Sequence, residues 1–237
     1  MVRLRVVLVE PEYEANIGYV ARVMKNFGLN ELYLVKPKVD LGSKALIFSA
    51  HAQDVVNKAV IVNSIQEAIE GADIVIGTTA KPAKSERNIL RAAVKPEEAA
   101  AKINALNGEA ALLFGRESSG LSNEELNLCD LILFIPANEK YPTLNVSHAA
   151  AIVFYEFYKN KQVKEIKEKF KREHLLRLIN VFNEVLLELS MPKHKVKLAR
   201  LTFRKLLLKG ITTSREATLM LGVFRKIRDE KIKTKIN

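Results

Sequence analysis

Along the first part of the chain, short apolar runs alternate with stretches in which apolar residues return every three or four positions. The runs Leu4–Val9, Leu32–Val35, Val60–Val62, Ile74–Gly77, Ala110–Phe114 and Leu131–Ile135 are rich in Val, Ile and Leu. Most lack polar alternation, as strands covered on both faces do. Between them, Ile17–Phe27 repeats apolar residues at Ile17, Val20, Ala21, Met24 and Phe27, and Gly28 stands where a helix cap is expected. Ala52–Lys58, Ile65–Ile69 and Pro96–Leu106 also read as helices, the last with Pro in its first turn. Ser147–Lys159 closes this part. Strand–helix alternation of this kind predicts an α/β domain with a mainly parallel sheet.

The pattern changes after Lys159. Lys159–Arg172 is charge-dense and lacks Gly, and both a solvated helix extension and a tether fit it. Three helical patterns follow: Glu173–Leu189, Lys193–Lys209 after Pro192, and Ser214–Ile227, where Thr213 and Glu216 have capping-box spacing. The expected organisation is therefore an α/β domain over 1–160, a charged linker over 161–172 and a small all-α bundle over 173–237. A bundle of that size is near the lower limit for independent folding.

Charge sharpens this division. The 237 residues carry a formal net charge of +11. Residues 1–160 hold 17 Lys+Arg and 19 Asp+Glu, a net of −2, whereas residues 161–237 hold 21 and 8, a net of +13. A near-neutral body with a basic tail domain is the electrostatic footprint of nucleic-acid binding. The single Cys129 excludes an internal disulfide, fits a reducing compartment and reads as a buried structural thiol. No apolar run reaches the length of a membrane span, and the start reads as a first strand, so a cytoplasmic protein without membrane attachment is expected. His51, His148, His174 and His194 show no metal-ligand spacing with one another or with Cys129, and no metal is expected.

Three segments carry candidate chemistry. Gly77–Ala80, the loop FGRESSGLSNEEL (Phe114–Leu126) and the loop IPANEKYPTLNVSHAAAI (Ile135–Ile152) each place small and polar residues at the end of an apolar run. Strand ends of this type make a backbone-rich pocket floor, and the three suggest one composite ligand site at the carboxyl ends of parallel strands. The spacing of Gly115 and Gly120 is not that of a dinucleotide-binding fingerprint.

The segment NIGYVARVMKNFG (Asn16–Gly28) and the two long loops occur in this order. Together they resemble the SPOUT superfamily of RNA methyltransferases, in particular the TrmH-like ribose 2′-O-methyltransferases, over about residues 1–160. The basic helical extension makes the chain most similar to members that methylate the ribose of nucleotide 32 in the tRNA anticodon loop. The resemblance implies S-adenosylmethionine as methyl donor, tRNA as partner, a homodimer and a carboxyl-terminal trefoil knot in the α/β domain. By position it also implies that Thr78, Thr79, Ala80, Gly115, Arg116, Ile135, Pro142, Thr143 and Leu144 line the cofactor site.

The same match places Arg22 in the family's catalytic position, with Asn16 beside it and Glu117, Asn145 and Ser147 in the two loops. A guanidinium rarely gives up its proton, so a grip on a substrate phosphate suits Arg22 better than a literal base role. Glu117 has two readings: it orients Arg22 or the acceptor nucleotide, or it is an acid at a helix start. Ser147 reads as a site residue, as the N-cap of the following helix, or as both. Lys81, Lys84 and Arg87 fit either phosphate contacts or a solvated basic loop. The same chemistry on ribosomal RNA or the wobble nucleotide, and a catalytically silent RNA-binding protein, remain as other readings.

Overall fold

The structure is a computed structural model that describes residues 2–82, 93–104, 108–159, 172–189, 191–209 and 214–236. The chain forms two compact units, Met1–Glu165 and Ile166–Asn237.

In the first unit the apolar runs become β1 (Arg3–Val9), β2 (Glu31–Val35), β3 (Val60–Val62), β4 (Ile74–Thr78), β5 (Glu109–Phe114) and β6 (Leu131–Leu133). They form one sheet in the order β3-β2-β1-β5-β4-β6, and every pairing is parallel. Parallel strands need covered faces, which explains the unbroken apolar runs. Val6, Val7, Val75, Ile76, Leu112 and Leu113 are completely buried. β6 stops two residues short of the predicted end: Phe134 donates its N–H to the Val94 carbonyl at 3.0 Å, and Ile135 already belongs to the following loop.

Helices α1 (Glu14–Asn26), α4 (Ile65–Ile69), α5 (Pro96–Ile103) and α7 (Val146–Lys159) lie where periodicity places them. Gly28 ends α1 at φ +70°, and the N–H of Leu29 reaches back to the Met24 carbonyl at 2.9 Å, a left-handed cap that glycine adopts without strain. The predicted helix over Ala52–Lys58 is different in the structure. Helix α2 (Ser43–Ser49), a 3₁₀ turn at Ala50–Ala52 and α3 (Gln53–Asn57) occupy this region. α2 hides from pattern reading because Ile47 is exposed while Ser49 is buried, the reverse of an amphipathic face. Also unpredicted is α6 (Asn123–Leu126), which opens with a capping box between Ser122 and Glu125.

The second unit holds α8 (Arg172–Glu188), α9 (Lys193–Lys209) and α10 (Ser214–Ile236). One aromatic knot joins all three: Phe182 stacks on Phe203 at 3.9 Å, and Phe224 meets both edge-on at 5.3 and 5.4 Å. α10 runs past the predicted end at Ile227. The charged stretch before α8 and the predicted cap at Thr213 lie outside the described residues.

Candidate active site

Strands β5, β4 and β6 are neighbours, so their carboxyl ends bring three loops together. The loops enclose a cavity of about 260 Å³. Thr78, Thr79, Ala80, Gly115, Arg116, Ile135, Pro142, Thr143 and Leu144 all line it. Lys81, expected to contact phosphates or to sit on a solvated basic loop, lines the cavity as well. Phe114, Glu117, Ser118, Ser119, Gly120, Leu121, Leu133, Val146 and Ala149 complete the wall, and of these only Glu117 is among the site residues expected from sequence. The signal for Val146 and Ala149 was their three-residue spacing at the start of α7, which puts both on one helix face.

The walls are fixed locally. Thr78 donates its hydroxyl to the Leu113 carbonyl at 3.0 Å, tying β4 to β5. Thr79 donates its N–H to Leu133 at 2.9 Å, tying the loop to β6. The middle loop turns back on itself where the Gly120 N–H reaches the Arg116 carbonyl at 2.8 Å. A Cβ at Gly115 would stand 2.1 Å from the Gly120 carbonyl carbon and 2.3 Å from the Leu121 nitrogen. The close approach expected at Gly115 is therefore made to the loop's own backbone.

Four of the expected catalytic residues form one hydrogen-bonded chain beside this cavity. Asn16 donates its amide N–H to Glu117 Oε1 at 2.8 Å. Asn145 donates to Asn16 Oδ1 at 3.0 Å. Asn145 Oδ1 then accepts both the Ser147 N–H at 2.8 Å and the Ser147 hydroxyl at 2.7 Å. α7 begins at Val146, so the N-cap is Asn145, and Ser147 sits inside the first turn. The N-cap expectation for Ser147 is corrected accordingly. Glu117 lies well before α6 begins at Asn123, so it is not an acid at a helix start. Its second oxygen accepts the Glu12 backbone N–H at 2.9 Å.

A band of acids flanks the middle loop. Arg116 is held between Glu10 and Glu125, and hydrogen bonds to both carboxylates push its guanidinium above the usual arginine range. Hydrogen bonding to Arg116 holds the Glu10 carboxyl below its ordinary value. Burial pushes Glu125 up, but Arg116 and the Ser122 N–H outweigh it, and the net shift is downward. Glu12 is lowered by the Ser118 hydroxyl and by Lys38.

Arg22 is not part of this chain. It lies exposed on α1, on the helix face that also exposes Tyr19. Lys84 and Arg87 fall outside the described residues, and His148 is exposed on α7. Cys129 is buried with its Sγ 3.5 Å from the Glu125 carbonyl, as a structural thiol would be. Among the described residues no group of His, Cys, Asp and Glu could hold a metal ion, and no helix is long and apolar enough to cross a membrane.

The family described as SpoU rRNA Methylase matches residues 3–155. A tRNA (cytidine-2′-O-)-methyltransferase, TrmJ, of Methanocaldococcus jannaschii is 36% identical over 234 residues, covering 95% of this chain and all of the relative. The TrmJ of Sulfolobus acidocaldarius is 36% identical across 94% of this chain and 93% of its own length. Among solved structures, TrmJ from Z. mobilis ZM4 superposes with a TM-score of 0.70 at 27% identity, over 96% of this chain and 99% of that one.

Proposed function

This chain belongs to the SpoU rRNA Methylase family, and from that premise we propose that it methylates the 2′-oxygen of a tRNA ribose, nucleotide 32 of the anticodon loop, using S-adenosylmethionine. The observation that carries this reading is the convergence of three separated loops on one cavity, with the Glu117–Asn16–Asn145 chain at its side. The cavity suits that cofactor. Threonine hydroxyls and loop backbone offer polar partners, and Leu133, Ile135, Leu144 and Val146 offer apolar wall for a purine. When bound, the cofactor supplies a methyl group already activated on a sulfonium sulfur.

The protein must then position a ribose hydroxyl, and orientation alone can supply several kcal/mol, on the order of 7 or more in the best cases. Asn16, Glu117 and Asn145 form a rigid polar edge able to hold the acceptor nucleotide. Arg22 grips the phosphate beside that ribose and stabilises the developing alkoxide. Its place on the exposed face of α1 agrees with a homodimer, in which α1 of one subunit serves an acceptor at the other subunit's cavity. Exposed Tyr13 and Tyr19 on or beside α1, Ile47 on α2, and Ile152 and Tyr155 on α7 give that dimer an apolar surface. The reading includes the trefoil knot that the resemblance implies, cytoplasmic action on tRNA, and tRNA binding by the basic second unit.

Incubation with labelled S-adenosylmethionine and tRNA, followed by mapping of the methylated nucleotide by mass spectrometry, tests the proposal. Transfer to nucleotide 32 is expected, and no transfer to tRNA carrying a 2′-deoxyribose there. Methylation of the deoxy substrate at that nucleotide would defeat the assignment. Modification at another position would move the reading to a different RNA site.

A further inference from the structure

We propose that Arg116 is a positioning residue: it locks the Arg116–Gly120 turn in the shape the cavity needs and sets Glu117 against Asn16, without contacting the bound cofactor. This rests on the reading of the cavity as the S-adenosylmethionine site. A guanidinium has five N–H donors. At Arg116 all five are spent on protein oxygens. Nε and Nη2 donate to the two oxygens of Glu10 at 3.0 and 2.7 Å. Nη1 and Nη2 donate to the two oxygens of Glu125 at 3.0 and 2.9 Å. The remaining Nη1 hydrogen reaches the Gly120 carbonyl at 3.3 Å. Although Arg116 lines the cavity, no donor is left for a ligand, and two carboxylates already exceed its charge.

The clamp joins parts of the chain that nothing local would hold together. Glu10 follows β1 with φ +47°, a left-handed conformation that a non-glycine residue keeps only when its surroundings hold it. Glu125 is also the capping-box residue of α6, so the arginine ties the turn to that helix. Lys38 sits 3.6 Å from Glu10 and 3.2 Å from Glu12 and offsets the excess negative charge. The next two residues continue the seam: Glu117 takes the Glu12 N–H and the Asn16 amide, and Ser118 donates to both oxygens of Glu12. Three consecutive residues of the cavity loop are thereby registered against the segment that enters α1. Neither Glu10 nor Glu125 lines the cavity, so they act on a ligand there only through the residues they hold, Arg116 above all.

The experiment compares two ligands in the full-length protein: S-adenosylmethionine, and 5′-methylthioadenosine, which lacks the amino-acid carboxylate. Arg116→Met is expected to raise both dissociation constants by the same factor, about tenfold. Glu125→Gln and Glu10→Gln should weaken both ligands too, and Glu125→Gln added to Arg116→Met should cost nothing further. Methyl transfer at saturating cofactor should fall as well, because Glu117 loses its register; a protein merely destabilised would recover full turnover below its melting temperature. A loss confined to S-adenosylmethionine would make Arg116 a direct ligand of the carboxylate and overturn the proposal. Wild-type binding by Glu125→Gln and Glu10→Gln would also overturn it, and these two variants decide the matter if Arg116→Met does not fold. If the unaltered protein binds neither ligand, the reading of the cavity falls and the clamp's role falls with it.

Discussion

In the first unit charges nearly cancel and a parallel sheet is covered on both faces; in the second, basic residues dominate and the described core is shallow. Residues 1–160 carry a net charge of −2 and residues 161–237 one of +13. In the second unit only Leu178, Val181, Val185, Leu186 and Ala217 are buried among the described apolar residues, whereas the sheet of the first unit holds many side chains with no exposure. α9 alone has Lys193, Lys195, Lys197, Arg200, Arg204, Lys205 and Lys209 and no acid. Methyl transfer needs reacting atoms held to fractions of an ångström, which a dense sheet and its tethered loops provide. Phosphate gripping needs charge more than precision. On this reading, geometry and affinity have been assigned to different units.

The strongest test of that division is Arg22→Ala. Methyl transfer should fall at least about a hundredfold, as when a key electrostatic contact is removed, while cofactor affinity measured by calorimetry stays near wild type. A variant with a third of normal turnover would make Arg22 an ordinary exposed residue of α1. Gly115→Ala should come next. A Cβ there collides with rigid backbone, so cofactor binding should be lost while tRNA affinity, measured by gel shift, is kept. Loss of both would mean that the units are not separable.

A third experiment addresses the second unit. Replacing Lys193, Lys195 and Lys197 with Ala should weaken tRNA binding and flatten the plot of log affinity against log salt by about two to three units. Cofactor affinity should not change. An unaltered slope would take tRNA binding away from α9. Phe182→Ala breaks the aromatic knot and, because Phe182 is only half-buried, should cost less than the roughly 3–5 kcal/mol of a fully buried Phe. Calorimetry should then show the second unit melting early while the first keeps its transition and its cofactor binding; a single shared transition would contradict the comparison.

Acidification gives the smallest effect. Glu10 and Glu125 have lowered folded-state pKa values. Their contribution is present above the ordinary carboxyl value of 4.5 and is lost as pH falls through the lowered one. Cofactor binding by the first unit should therefore be flat from neutral pH down to that region and weaken below it. Glu125→Gln should remove part of the acid-side decline. An unchanged acid profile in that variant would separate the clamp from the pH response.

Sequence alone determined what depends on near neighbours. Unbroken apolar runs gave the parallel strands, Gly28 gave the end of α1, and the small polar residues after β4, β5 and β6 marked the lining of the cavity. Charge counting set a near-neutral stretch over 1–160 apart from a basic one over 161–237 without coordinates. What it missed had conflicting or weak local signals: α2 exposes Ile47 and buries Ser49, and α6 is a single short turn. The relations among functional side chains came from tertiary structure. Insertion of β5 between β1 and β4 puts Glu117 beside Asn16, 101 positions away, and Arg116 beside Glu10, 106 away. Whether Arg116 faces a ligand or spends every donor on protein, and whether Ser147 or Asn145 caps α7, depends on which groups reach hydrogen-bond distance. Sheet order and loop closure set those distances, and neither is written in the spacing of residues along the chain.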